Sequence, residues 1–219
     1  MRLRIYILSF NDETFNFANE RYSNYNWAKV IKIESTVLFE SIMYDKWLIE
    51  NEDDWKDFDY IGFLSWKFEY KIIMPDFNKI IEILEKNNSY ELIPLYLNDI
   101  KFMYHNDDMY IFFKNLFKEL NYPDDYFSSN DFLPFFSNYW IARNDILRKY
   151  IIFFKKCKNI INNNPIIQEY LYLDTGYNSL SKEKYLEIFN KPYCCNHPFI
   201  YERIPIFYFH NKKMLILKN

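Results

Sequence analysis

The residues best equipped for chemistry gather at one strand end. Gly62-Phe63-Leu64-Ser65-Trp66-Lys67-Phe68 sets a hydroxyl, an indole and an ammonium side by side after an apolar run, where the ligand crevice of an α/β sheet opens. There Lys67 could neutralise a diphosphate leaving group without a metal ion. The plainer alternative is an ordinary strand end with a packed Trp66 and a Lys67 whose stem lies along apolar surface. Asp57-Phe58-Asp59 has the D-x-D spacing that suits a divalent cation bridging a diphosphate. It precedes its strand instead of following it, so its position favours solvation at a strand start and no metal site is assigned. Cys194-Cys195-x-His197 offers metal-ligating atoms but lacks paired C-x-x-C spacing. Three cysteines, two of them adjacent, fit buried thiols in a reducing compartment.

Several chemistries are excluded. With only Gly62 and Gly176 available, neither a dinucleotide-binding glycine loop nor a P-loop can form. A G-x-S-x-G elbow and an H-E-x-x-H helix are also missing. Lys and Arg total 27 against 30 Asp and Glu, a net charge of −3 with no excess positive field to hold a phosphate backbone, so nucleic acid is not an expected partner. Asp76, Glu82, Glu85 and Lys86 share a predicted helix and lack a nuclease's acid-x-Lys spacing, which leaves an α/β nuclease or phosphotransferase the least favoured reading. The 22 Phe and 21 Tyr reflect AT-rich codons, as in large DNA viruses and some bacteria, so sugar-stacking aromatics cannot be picked out by composition.

The elements that must position these residues read as β alternating with α. Arg2 to Phe10 alternates as a strand, and Asn11-Asp12-Glu13 supplies a helix cap and acids for the first turn. Lys29 to Glu34 reads as a second strand, with Ser35-Thr36 capping a helix whose apolar face runs to Leu48 and Ile49. Asp59 to Trp66 is a third strand of the continuous apolar kind buried on both faces. Pro75 suits the first position of the next helix, followed by a fourth strand from Tyr90 to Leu97. Asn106 caps a helix lined by Met109, Phe112, Phe113, Leu116 and Phe117. Phe135 to Ala142 reads as a fifth strand, and Asn144 caps the longest helix, with Ile146, Tyr150, Phe154, Cys157 and Ile161 at helical spacing.

The expected fold class is α/β, a single-domain layered sheet with flanking helices over residues 1–219, with a core of about 1–161 and a C-terminal appendage of about 162–219 beyond the loop Asn162 to Pro165. Ile5 to Phe10 is too short for a signal peptide's core. No run approaches the roughly 18 apolar residues that span a bilayer. A soluble chain without a transmembrane segment is therefore expected in the cytoplasm, the host's if the source is viral.

Tyr60-Ile61-Gly62-Phe63-Leu64-Ser65-Trp66-Lys67-Phe68 resembles the Y-[IV]-G-x-x-S-[WY]-K-F segment of a group of GT-A-like glycosyltransferases linked to surface and capsular polysaccharides. Three further blocks match in order. Phe39-Glu40-Ser41 resembles an F-E-S on an early helix, and Asn138-Tyr139-Trp140-Ile141-Ala142 an N-Y-[FW]-[IV]-[AG] strand. His197-Pro198-Phe199-Ile200-Tyr201-Glu202-Arg203 resembles an H-P-[FY]-[IV]-x-E-R helix. The blocks span residues 39–203, and the length rules out a two-domain GT-B enzyme.

The resemblance implies a GT-A-like (Rossmann-like) nucleotide-sugar-binding architecture and transfer of a sugar from a nucleotide-sugar donor to a glycan or glycoconjugate acceptor. Under it, the loop Ser9-Phe10-Asn11-Asp12 would hold the nucleoside, and Lys67, Arg143 and Arg203 the diphosphate. Ser65, Trp66, Asn138 and His197 complete the substrate-binding set. Glu202, Asp108 and Glu40 are the candidates for the carboxylate that takes the acceptor's proton. Structural ion pairs for Glu202 and Arg203, and a helix-start role for Asp108, are the competing readings. Replacing Glu202 by Gln is expected to stop transfer without lowering stability. No cofactor is firmly implied; Mn or Mg with the donor stays open because no well-placed D-x-D is present. The runner-up is a noncatalytic glycan-binding or scaffold protein on the same fold. Oligomeric state is not legible.

Overall fold

The computed structural model describes residues 1–33, 47–97, 104, 106–123, 126, 132–135, 138–177 and 179–217. Strand β1 (Leu3–Ser9) leads into helix α1 (Asp12–Tyr22). A capping box starts α1: Asn11 Oδ1 accepts from Thr14 N at 2.8 Å, and Thr14 Oγ1 accepts from Asn11 N at 3.1 Å. Next come β2 (Ala28–Lys32), β3 (Tyr60–Ser65), α2 (Phe77–Lys86) and β4 (Leu92–Pro94). They are followed by α3 (Asp107–Glu119), β5 (Trp140–Arg143) and α4 (Asn144–Asn163). Then α5 (Pro165–Tyr170), α6 (Lys182–Phe189) and α7 (His197–Phe209) close the chain.

Among the described residues five strands form one mixed sheet in the order β2-β1-β3-β5-β4. β1 runs parallel to β2 and β3, while β5 runs antiparallel to β3 and β4. Because β2 and β3 lie on opposite sides of β1, the chain reverses direction across the sheet there, and the crevice of such a sheet lies at the carboxyl ends of β1 and β3. Gly62 pairs with Ile5 on one side and Ile141 on the other. A Cβ at Gly62 would meet Ile5 Cδ1 at 2.7 Å and Ile141 Cγ1 at 2.8 Å, so only glycine lets these three strands pack as closely as they do.

Side chains alternate between two apolar layers, as the period of a strand requires. Tyr6, Leu8, Ile61, Phe63, Trp140 and Ala142 face α3, α4 and α7. Ile5, Ile7, Leu64 and Ile141 face α1 and α2. The sequence boundaries shift in places. Pro75 precedes the cap of α2, which is Asp76, whose Oδ1 accepts from Lys79 N at 3.0 Å. β4 is shorter than expected. β5 begins only at Trp140, with Phe135 making an isolated bridge to Leu97. Asn144 is the first residue of α4 instead of its cap, and its Nδ2 donates to Phe58 O at 2.8 Å, tying the helix to the approach to β3. The helix expected after Ser35 falls outside the described residues up to Asp45; Leu48 and Ile49 belong to a short helical turn, Leu48–Glu50.

Beyond Asn162 the chain does not form a separate layer. α7 contributes Ile200, Ile204, Phe207 and Phe209 to the larger core, and Met214 bridges to Leu92 of β4. Among the described residues no helix is long and apolar enough to cross a membrane.

Candidate functional site

At the carboxyl ends of β1 and β3 the backbone is tightly stapled. Trp66 N donates to Leu8 O at 2.9 Å, and Ile33 N donates to Ser9 O at 2.8 Å. Ser65 Oγ and Tyr139 Oη share a hydrogen bond of 2.5 Å. Tyr139 is buried beside them, its hydroxyl pKa raised chiefly by burial, with the Ser65 hydrogen bond opposing and the charge of Glu202 adding to the rise. The Trp66 ring meets Phe17 of α1 edge-on, and Lys67 Nζ stands 5.3 Å from the Trp66 ring centroid. Lys71 Nζ lies 5.7 Å from the Tyr139 ring centroid, and Tyr96 packs against the same ring. Two hydroxyls, an indole and two ammonium groups thus share this rim, a combination suited to sugar hydroxyls and to an anion.

Not every residue expected to bind substrate is available there. Ser9 is fully buried, and its Oγ donates to Ile31 O at 2.8 Å, so its side chain ties β1 to β2. Asn11 lies at the right end of the sheet, but its side chain is engaged as the α1 cap. Asp12 pairs with Lys32 at 2.6 Å on the same rim. Asn138 is buried with φ 56°, a left-handed backbone that asparagine tolerates, and it turns the chain into β5. Ser65, Trp66 and Lys67 remain at the crevice, joined by Tyr139, Tyr96 and Lys71, which had not been selected from the sequence. Tyr139 was legible in principle: it occupies the second position of the Asn138 block, on the side of β5 that faces Ser65.

Arg143 is far from Lys67 along the strand. Because β5 is reversed, Arg143 pairs with Tyr60, the first residue of β3, and stands at the amino rim of the sheet. There Arg143 Nε donates to Asp145 at 2.6 Å. It lines a polar basin of about 850 Å³ with Arg2, Asp57, Asp59, Asn88 and Arg148. The D-x-D pair is therefore on the amino rim too, with Asp59 Oδ2 accepting from Arg2 N at 2.6 Å. Among the described residues no group of three His, Cys, Asp or Glu side chains could hold a metal ion.

The last of the four blocks falls on α7. Arg203 is buried and its Nη1 donates to Phe199 O at 2.8 Å and to Glu202 Oε2 at 3.2 Å. Burial lowers the Arg203 pKa and the Glu202 carboxylate opposes that shift. Both residues are thus partners in one internal ion pair, so Glu202→Gln is expected to lower stability as well, because it removes the negative charge facing a buried guanidinium. His197 is buried between the rings of Tyr172 and Tyr201, with its pKa pushed down to about 4, first by burial and then by Lys158. It is packed in the core. Asp108 is partly exposed in the first turn of α3, whose cap Asn106 donates to Asp174 O at 3.0 Å and holds that helix start near the start of α7. Glu40, with Phe39 and Ser41, lies outside the described residues. Cys157, Cys194 and Cys195 are free and buried, as the odd count implied.

No family model matches the chain, and no curated protein matches it. Among solved structures, it is similar to the crystal structure of A197 from STIV, with a TM-score of 0.37 and 12% identity over 100% of this chain and 82% of that one.

Proposed function

We propose that the protein transfers a sugar from a nucleotide-sugar donor to a glycan or glycoconjugate acceptor, on a GT-A-like variant of its α/β sheet. The reading rests on one observation: Ser65 and Tyr139, bonded to each other at 2.5 Å, stand beside Trp66 and Lys67 at the carboxyl ends of β1 and β3. In this role Trp66 stacks on the donor, Lys67 stabilises the departing diphosphate, and the hydroxyl pair orients the sugar. Glu202, whose charge reaches Tyr139, is the described carboxylate with a link to that hydroxyl pair. As one half of an internal ion pair it positions α7 as well as serving as the base candidate.

Selective donor binding raises apparent stability by mass action. The test is a thermal-shift screen against UDP, GDP, CMP and dTDP sugars, with and without manganese, followed by an assay of donor hydrolysis. One nucleotide class is expected to raise the midpoint. Lys67→Ala, an exposed change, should remove that rise while leaving the midpoint of the free protein in place. Manganese dependence of the rise would assign the diphosphate to a metal ion in place of Lys67.

A noncatalytic glycan-binding protein is the second reading, favoured by the engagement of Ser9 and Asn11 in the protein's own hydrogen bonds. It predicts glycan binding with no donor shift and an intact nucleotide sugar.

A further inference from the structure

The loop that leaves β3 carries the two most exposed large apolar side chains among the described residues, Tyr70 at 83% and Ile73 at 91%. It is not a slack segment. Phe68 is fully buried, Lys71 N and Ile72 N both donate to Phe68 O, at 2.8 and 3.0 Å, and Tyr70 N donates to Lys67 O. The exposed pair is therefore held outward by a braced turn. Beside it runs an apolar groove of about 720 Å³, whose walls include Ile72, Met74, Leu97 and Ile216. Single exposed apolar residues are ordinary, whereas a braced pair continuous with an apolar groove marks an interaction surface.

Charge identifies the partner. Lys67 and Lys79 flank the pair, both exposed, and neither forms an ion pair with a described residue. The loop's own acid, Glu69, is turned back onto α1, accepting from Arg21 Nε at 2.6 Å and from Tyr22 Oη at 3.1 Å. Asp76 is held as the cap of α2. A chain of net charge −3 thus presents, beside its two most exposed apolar side chains, an excess of positive charge, Lys67 and Lys79 against the outward carboxylate of Asp76.

We propose that this loop docks the protein on an anionic membrane surface, with Tyr70 and Ile73 in the headgroup layer and Lys67 and Lys79 against lipid phosphates. An aromatic and an aliphatic side chain with flanking lysines is the combination that binds the interface without crossing it: the apolar pair leaves water, and each lysine near an anionic leaflet adds attraction that salt screens. The docking does not depend on the sugar-transfer reading. If both hold, Lys67 serves the donor diphosphate and Lys79 keeps the lipid contact, and the crevice at Ser65 opens next to the lipid surface, because the docking loop begins one residue after it.

Co-sedimentation with vesicles tests the proposal, using phosphatidylcholine alone and phosphatidylcholine mixed with phosphatidylserine. The full chain is expected to pellet with the serine-containing vesicles and to be released by salt. The double variant Tyr70→Ser/Ile73→Ser should bind at least about tenfold more weakly with an unchanged thermal midpoint, since both side chains lie outside the core. Lys67→Gln/Lys79→Gln should abolish the preference for anionic vesicles. Absence of pelleting with either vesicle, or equal binding by Tyr70→Ser/Ile73→Ser, would overturn the proposal. So would self-association that the apolar double variant abolishes in the absence of vesicle binding, which would assign the surface to a second copy of this chain.

Discussion

The two rims of the sheet use their polar groups differently. At the amino rim many of the charges meet one another: Arg143 with Asp145, Arg148 with Glu52, Lys56 with Asp53, and the terminal amine with Glu85. At the carboxyl rim Lys67 and Ser65, nearest the crevice, meet neutral groups. Lys67 rests on an indole, Lys71 lies over a phenol, and Ser65 bonds Tyr139. Charges that meet one another make a solvated, structural surface, and the basin there does not by itself make a site. Charges and hydroxyls held by rings retain the capacity to meet a ligand.

The contrast can be broken by mutation. The largest effect is expected between the rims, at the internal pair on α7. Arg203→Met should cost about 3 kcal/mol in urea unfolding, because it removes the buried guanidinium that faces the mostly buried carboxylate of Glu202. A cost under about 1 kcal/mol would mean that the pair is a surface feature, and would return Glu202 to a purely catalytic reading.

His197 comes next. Its folded-state pKa is depressed, so the native protein holds the neutral ring while the unfolded chain takes up a proton near the ordinary value of 6.5. The associated stability is present above that value and is lost as pH falls towards about 4. The loss amounts to about 3 kcal/mol for a shift of this size. Denaturant titrations across that window should show the slope in the wild type and a flatter acid limb in His197→Phe. An identical acid limb in the two proteins would mean that the ring reaches solvent, and would reopen a place for it near substrate.

The smallest effect belongs to the amino rim. Asp145 has its pKa lowered, first by the hydrogen bond from Arg143, but half of its side chain is exposed. Arg143→Gln should therefore change stability by less than about 1 kcal/mol at neutral pH. The difference should vanish in acid as Asp145 protonates, since a depressed carboxylate pKa stabilises only above the unfolded value. Any nucleotide-sugar shift should be unaffected, and its loss in Arg143→Gln would break the distinction between the rims.

Much of this arrangement was legible in the residues. Local periodicity marked β1, β3, α3 and α4 because each carries its own alternation or helical stripe, and Asn11 and Asn106 announced α1 and α3 as caps. Those signals are local: they depend on neighbours a few positions away, which a sequence displays directly. The placement of Ser65, Trp66 and Lys67 at the end of an apolar strand, and of Asp57 and Asp59 before it, could be read in the same way.

The direction of β5 could not, since a short apolar strand has the same pattern whichever way it runs, and only pairing with β3 and β4 sent Arg143 to the opposite rim. Nor could the burial of His197, the inward turn of Arg203 onto Glu202, or the meeting of Ser65 with Tyr139 across 74 positions of chain. By itself the sequence determined an alternating α/β chain with reactive groups at one strand end. Tertiary structure alone decided which of those groups remain available, because availability depends on desolvation and on partners distant in sequence.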